Sequence, residues 1–269
     1  METHPFDEAI RLSPAGEHRF AGATHPGYAN MVGPFGGITN ALMLEAALRH
    51  PRRLGDPIAL TVNFAGPVAD GAFGIEASPP RTNRSTQHWW ITMRQGDAVV
   101  TTGTAVFAER RSAWSTCELV MPAGLPRPSD LPRASADGRP AWCARYDMRF
   151  AEGAVTEFDG REHVDSLTRL WIRDDPPRPL DFASLAAIAD NFMPRIFVRR
   201  RRLVPVGTVS MTTYFHADAA LLDAQADRYV LGTARGLNFR SGYFDQIADI
   251  WSDSGELLAT SHQVVYYRE

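Results

Sequence analysis

The feature that most limits what this chain can become is that much of it is written twice. LTVNFAGP, whose strand-like run ends at Phe64, is matched by MTTYFHAD, ending at Phe215. GDAVVTTGTAVFAE from Gly96 is matched by GELLATSHQVVYYR from Gly255, and PFGGITNALMLE by PLDFASLAAIAD, which sets Glu45 against Asp190. Each copy reads as one apolar helix followed by runs of β-branched and aromatic residues between turns. The first helix lies in PFGGITNALMLEAALRH, and its strands are expected at Ile58–Ala65, Ala72–Ser78, Gln87–Arg94 and Ala98–Ala108. The second helix lies in PLDFASLAAIADNF, with strands expected at Thr208–Phe215, Arg228–Ala234, Phe244–Trp251 and Leu257–Tyr267. A shorter extended stretch opens each copy, at Glu17–Ala23 and at Arg145–Glu152. The expected class is α+β: a duplicated unit in which an antiparallel sheet buries one face on its helix, the two sheets lying side by side and covering each other's edges.

Met121–Pro140 separates the copies. Five prolines and two glycines in these 20 residues exclude a central strand or a continuous helix. The chain therefore divides into residues 1–120, a proline-rich linker at 121–140, and residues 141–269.

Composition removes several function classes. Twenty-eight basic against 31 acidic side chains give a net charge of −3, without the positive field of a general nucleic-acid binder, though one local basic site is still compatible with it. No run approaches the roughly 18 apolar residues of a membrane span, and Met1–Ala9 lacks the basic-then-apolar order of a secretory signal. Cys117 and Cys143 lack metal-ligand spacing and read as two reduced thiols of a cytoplasmic protein. All basic residues are arginine, which excludes chemistry that needs a Schiff-base or P-loop lysine. GPFGG is not G-x-G-x-x-G, and no G-x-S-x-G elbow occurs. His88, His216 and His262 show no zinc-ligand spacing, so neither metal nor cofactor is expected.

Three residues of the second copy invite a chemical reading. Asp190 follows Phe182–Ala189, a segment whose one polar residue is Ser184, so it sits at the end of a buried helix. Helix dipole and desolvation both oppose its charge there. It either needs hydrogen-bond partners or caps the turn DNFMP. Asp181 reads as a plain N-cap. Thr208, taken alone, is a threonine suited to a strand. Gln263 shares a strand face with Ser261, Ala259 and Val265; a glutamine there faces solvent or is bonded to something buried, and the residues alone favour solvent.

GPFGGITNAL in the first copy, and LWIRDD, LAAIADNFMP, GTVSMTTYFH and GELLATSHQVVYYR in the second, resemble the double hot-dog acyl-CoA thioesterases of the thioesterase II type, over roughly residues 15–110 and 145–268. The resemblance implies a tandem double hot-dog fold and hydrolysis of an acyl thioester to a free acid and coenzyme A. It implies a water held by an Asp, a hydroxyl residue and a Gln, matched here by Asp190, Thr208 and Gln263. The first copy's counterparts are read as Glu45, Pro57 and Thr104, which implies one site per chain, with Glu45 a partly buried helix residue. Unpaired N–H groups at Gly36 and Gly37, opening the first helix, are candidates to hold the substrate carbonyl; the same glycines serve equally for a tight turn or close packing. Arg199, Arg200, Arg201 and Arg202 are either a solvated turn or a patch for the phosphates of coenzyme A. The His25–Tyr28 loop is placed over an acyl tunnel lined by apolar side chains near the helices. Expected partners are the acyl-CoA substrate and further copies of the chain, with no nucleic acid or membrane.

Two alternatives share the fold: a hot-dog enoyl-CoA hydratase or dehydratase, against which stands the lack of a histidine inside either helix, and a non-catalytic acyl-thioester-binding protein, against which stands the complete Asp, Thr and Gln set.

Overall fold

The structure, a computed structural model, describes residues 3–269. Met1 and Glu2, where the unit 1–120 begins, lie outside the described residues. In chain order the first half holds α1 (Pro5–Ala9), β1 (Ser13–Pro14), β2 (Arg19–Ala23), α2 (Gly36–Leu48), β3 (Asp56–Phe64), β4 (Ala72–Thr82), β5 (Thr86–Gln95) and β6 (Ala98–Ala108). The second half holds β7 (Tyr146–Glu152), β8 (Thr168–Asp174), α3 (Phe182–Ile188), α4 (Arg195–Arg200), β9 (Val206–Phe215), α5 (Ala219–Gln225), β10 (Val230–Arg235), β11 (Phe239–Arg240), β12 (Tyr243–Trp251) and β13 (Leu257–Tyr267).

All 13 strands join one antiparallel sheet, ordered β1-β2-β4-β5-β6-β3-β9-β13-β12-β10-β8-β7, with β11 paired to β12. The order reads the same from both ends toward a midpoint between β3 and β9. The repeat in the sequence explains this: Thr61 and Thr212 are equivalent in the two copies, and they pair with each other across β3 and β9, their hydroxyls 2.9 Å apart. A pseudo-twofold axis therefore passes through this pair. Joining β3 to β9 also removes the two edges that each half would expose alone.

The helices lie on the inner face of the sheet. From Gly37 to Leu44 every residue of α2 is buried, as is every residue of α3. A helix buried on all sides needs no amphipathic stripe, and the apolar runs ITNALML and FASLAAI supply that surface. Leu42, Leu44, Trp89, Ile91 and Phe107 belong to the resulting core, which continues without a break into Leu170, Ile172 and Leu185 of the second half.

The sequence reading differs from the structure in three places. The strand equivalent to β2 is β8, since both lie beside the strand that follows, β4 or β10. The opening stretch at Arg145–Glu152 forms β7 at the sheet's outer edge, so LWIRDD is the strand and Tyr146–Glu152 the addition. The second helix is shorter than its copy: it stops at Ile188, and Asp190 lies beyond it. The linker is also more than a tether. Met121, Leu125 and Leu131 pack on Trp171, Leu231 and Trp251 on the outer face of the second half's sheet. The Trp171 indole N–H donates to the Pro126 carbonyl at 2.9 Å, and Arg149 donates to the carbonyls of Pro128 and Leu131. Proline suits this strap because a strap lying across a sheet makes no ladder of its own.

Removing the indole should release the strap without unfolding the sheet. Trp171→Ala is expected to accelerate protease cleavage within residues 121–131 while the far-ultraviolet circular dichroism stays as in the wild type.

Candidate active site

Asp190 reaches its position because α3 ends early. The backbone turns at Ala189, and the Asp190 N–H closes the last turn on the Ala187 carbonyl. The carboxylate then points at the first turn of the other half's helix. A Cβ on Gly36 would lie 2.5 Å from Asp190 Oδ2, and one on Gly37 would lie 2.5 Å from the Ala187 carbonyl oxygen. Glycine at both positions is thus a requirement of close packing between α2 and α3. The backbone N–H of Gly37 lies near the Asp190 carboxylate and favours its charge. The dipole that matters at Asp190 is therefore the favourable N-terminal end of α2, in place of the unfavourable C-terminal end of its own helix. Of the two candidates to hold the substrate carbonyl, Gly37 is buried, whereas Gly36 lies beside Oδ2 and is partly accessible.

Gln263 and Thr208 complete the group. Gln263 Nε2 donates to Asp190 Oδ1 at 3.1 Å, and the Thr208 hydroxyl donates to Gln263 Oε1 at 3.0 Å. Gln263 is 4 % exposed. Its strand face, shared with Ser261 and Ala259, points inward, so the solvent-facing reading is corrected. A carboxylate can only accept, so the amide must turn its NH₂ to Asp190 and its oxygen to Thr208. The Thr208 proton is engaged in turn, and its lone pairs stay free to accept. Thr208 and Asp190 both keep partial access to solvent. Burial pushes the Asp190 carboxyl up to about 7, opposed by the bonds from Gln263 and Gly37.

The first half has the same frame without the chemistry. Glu45 lies within the longer α2, accepts a 2.6 Å bond from Arg49 Nε, and is pushed up by burial. Opposite it, where the glycines would be, stands Asp181. Its carboxylate caps its own helix through the Ser184 N–H at 2.8 Å and is bound by Arg178, which also holds Asp7 at 2.8 Å. Pro57 is the counterpart of Thr208, since it pairs with Phe107 as Thr208 pairs with Val265. Thr104 is not the counterpart of Gln263. Thr104 pairs with Thr61 as His262 pairs with Thr212, which leaves Ala105 opposite Leu60 in the place of Gln263 opposite Met211. Matching Gly96 to Gly255 slips the register by one, because the hairpin between β5 and β6 is shorter than that between β12 and β13.

The four arginines do not form one patch. Arg199 pairs with Glu162 at 2.7 Å and Arg200 with Glu269 at 3.0 Å. Arg201 is buried, takes the left-handed conformation that ends α4, and donates to the Ala154 carbonyl. Arg202 is exposed and has no ion-pair partner among the described residues. The His25–Tyr28 loop folds inward: Tyr28 is fully buried, edge-on to Phe6 and Tyr146. Next to the first turn of α2 is a slot of about 10 Å³, lined by Ile38, Leu42, Phe73 and Met93 together with His25. Cys117 is exposed and Cys143 buried, and both are free thiols.

Sequence reasoning missed Arg195. It is fully buried without a carboxylate partner among the described residues. It donates to Gln246 Oε1 at 2.8 Å, Thr168 Oγ1 at 2.9 Å and the Ser166 and Ala234 carbonyls, and burial pushes it down to about 9. Gln246 lies directly opposite Gln263 in the β12–β13 ladder, so this arginine braces the strand beside the site. Only its place in MPRIFV, just after the candidate aspartate, could have hinted at the role.

A family model described as the acyl-CoA thioesterase N-terminal domain matches residues 25–108, and one described as the acyl-CoA thioesterase C-terminal domain matches residues 122–267. The chain belongs to the acyl-CoA thioesterase family. Its chemistry is thioester hydrolysis and its fold the double hot-dog. A conserved protein of unknown function with the hot-dog fold from Alicyclobacillus acidocaldarius is 51% identical, with a TM-score of 0.95 over 100% of this chain and 99% of that one. An acyl-CoA thioesterase II from Mycobacterium marinum shares the fold at 19% identity and a TM-score of 0.78, over 98% of both chains. A TesB protein from Mycobacterium avium subspecies paratuberculosis does so at 19% and 0.80, also over 98% of both. No curated protein matches the chain in sequence.

Because the Asp190 carboxyl titrates above its unfolded value near 3.8, the folded state binds its proton more tightly than the unfolded state does. This contribution to stability is fully present below about pH 4 and is lost as the pH rises through about 7. Asp190→Asn is therefore expected to raise the melting temperature by about 2–4 °C at pH 8 and to change it little at pH 4. Arg195→Ala leaves several buried acceptors without a donor and is expected to cost at least about 3 kcal/mol in denaturant unfolding, with Arg195→Lys recovering only part.

Proposed function

We propose that the chain hydrolyses acyl-CoA thioesters with Asp190 as general base, Thr208 and Gln263 as water-positioning residues, and the N–H of the partly accessible Gly36 as a donor to the carbonyl oxygen. The observation that carries this reading is the unbroken hydrogen-bond series from Thr208 through Gln263 to Asp190, ending against the first turn of α2.

The series fixes how a water would be held. Thr208 directs its proton at Gln263 and can only accept, and Asp190 when ionised can only accept. A water between them donates both of its protons, one to each, and turns a lone pair toward the substrate carbon. Attack forms the C–O bond and moves a proton to Asp190. The carbonyl oxygen becomes an oxyanion, which the first turn of α2 stabilises with N–H donors already in place. Collapse breaks the C–S bond, and the departing thiolate, whose ordinary pKa is near 8.5, takes the proton back from Asp190. A carboxyl at about 7 suits both transfers: it is ionised at the start and acidic enough to protonate a thiolate at the end.

The acyl group would enter by the apolar slot at Ile38, Leu42 and Phe73, whose lining favours hydrophobic acyl chains and which has room for about one water, so it must open to admit any of them. Of the four arginines, Arg202 is the one available to meet a coenzyme A phosphate. We assign the hydrolase to the cytoplasm and to an assembly of several copies.

Thiol release from a panel of acyl-CoA esters tests the assignment. Asp190→Asn is expected to lower kcat by about 10²–10⁴-fold. Thr208→Ala and Gln263→Ala should each lower kcat by roughly tenfold or more with a smaller change in KM; effects confined to KM contradict their roles. The wild-type kcat/KM should fall about tenfold per pH unit below pH 7 and level off above it. Loss of enoyl absorbance from an unsaturated substrate, without thiol release, would favour a hydratase instead.

A further inference from the structure

A tyrosine of the outermost strand reaches the contact between α2 and α3. Tyr146 opens β7, and β8, β10 and β12 separate it from the strand of Gln263, β13. Both nonetheless reach the end of α3, because the sheet wraps that helix. Tyr146 is 1 % exposed. Its ring stands edge-on to Phe35, the N-cap of α2, with centroids 6.2 Å apart, and Phe35 in turn stacks on Trp142 at 4.2 Å. Its hydroxyl lies near the side chain of Asn191, the residue after Asp190, and the charge of Asp190 opposes its ionisation. Tyr146 therefore spans the two helix ends whose contact forms the site.

The polar groups around it show what the hydroxyl is for. Buried Asn191 donates through Nδ2 to the Ala187 carbonyl at 3.4 Å. That carbonyl also accepts the Asp190 N–H at 3.1 Å and is the atom a Cβ on Gly37 would meet. Asn191 thus braces the turn that presents Asp190. Its Oδ1 is buried without a partner among the described residues, and so is the Tyr146 hydroxyl. The one offers a lone pair and the other a proton. Two such groups left bare cost more than the same groups joined, and a small rotation or one buried water joins them. Asp174, the cross-strand partner of Tyr146, does not compete for this proton. Its Oδ2 takes the Ser184 hydroxyl at 2.6 Å, and its bare Oδ1 has a bare hydroxyl of its own in Tyr28, on which Asp174 is the leading charge. Burial holds the Tyr146 hydroxyl well above the usual phenol range, so it keeps its proton wherever the enzyme works.

We propose that Tyr146 is a positioning residue of the hydrolytic site: its hydroxyl holds Asn191 and its ring holds Phe35, which keeps the turn carrying Asp190 pressed on the first turn of α2. The proposal rests on the hydrolytic reading and adds to it a residue from the far edge of the sheet.

Tyr146→Phe removes one oxygen and keeps the ring. It is expected to lower kcat for acyl-CoA hydrolysis by about tenfold, with KM unchanged to within about twofold. A loosened turn lets water reach Asp190, so its titration falls toward the ordinary carboxylate range. The acid limb of kcat/KM should then move down from about 7 by roughly half a pH unit or more. Asn191→Ala should do the same, and the double variant should be no slower than the slower single one, because the two side chains act as a unit. If Tyr146→Phe does not fold, the acid limb of Asn191→Ala decides. An unchanged kcat and an unmoved limb in Tyr146→Phe, with Asp190→Asn inactive, overturn the proposal and leave the hydrolytic reading standing; so do losses that add in the double variant. A wild type that releases no thiol removes the hydrolytic reading instead. The carboxyl carbon resonance of Asp190, identified by its absence from Asp190→Asn, then decides by its titration: a lower midpoint in Tyr146→Phe upholds the hold on Asp190, and an equal one overturns it.

Discussion

The contact between the end of α3 and the start of α2 organises everything around the site. With no Cβ at Gly36 or Gly37, the two helices approach until the Asp190 carboxylate rests on the first turn of the opposite helix. Its desolvation and the influence of the Gly37 N–H follow from that distance, and Gln263 supplies its hydrogen bond. A side chain at Gly36 would push the Asp190 carboxylate aside, and one at Gly37 would meet the Ala187 carbonyl, which cannot yield without moving a helix. A buried carboxylate without a cationic partner is costly. The fold tolerates it through fixed N–H donors, which hold the group between its two protonation states near neutral pH.

The duplicated frame shows how two equivalent positions came to differ. Both halves keep an acid toward the end of the central helix. In the second half the helix breaks before Asp190 and the facing residues are glycines. In the first half the helix runs on past Glu45, Arg49 neutralises it, and the capping carboxylate of Asp181 fills the space opposite. The supporting strands diverge alike: Pro57 and Ala105 stand where Thr208 and Gln263 stand. The site therefore belongs to neither half. The second supplies the acid, hydroxyl and amide, and the first supplies the helix terminus that receives them.

The sheet is a barrier as well as a scaffold. Its inner face carries the helices and the polar series, and Arg195 braces the strand next to Gln263 from the same side. Its outer face carries the proline-rich strap. Strands β10 and β12 contribute alternate residues to both faces.

By itself the sequence determined what is local or periodic. Repetition announced two helix-and-sheet units, alternation and β-branched runs located most strands within a residue or two, and proline density located the strap. The pattern LAAIADNFMP, with its family resemblance, singled out Asp190, and the order of motifs singled out Thr208 and Gln263. What depended on distance was left to the tertiary structure. Whether Gln263 faced solvent or the interior turned on which face of β13 the helices covered, and periodicity fixes alternation without fixing its sign. The true counterpart of Gln263 turned on a hairpin of different length, invisible until the strands were paired. Arg195 gave almost no signal, because its value lies in acceptors from three distant stretches of chain, at Ser166–Thr168, Ala234 and Gln246. The electrostatic setting of Asp190 was read from its own helix, while the structure supplies the opposite end of another one, a fact that exists only once two segments some 150 residues apart have packed together.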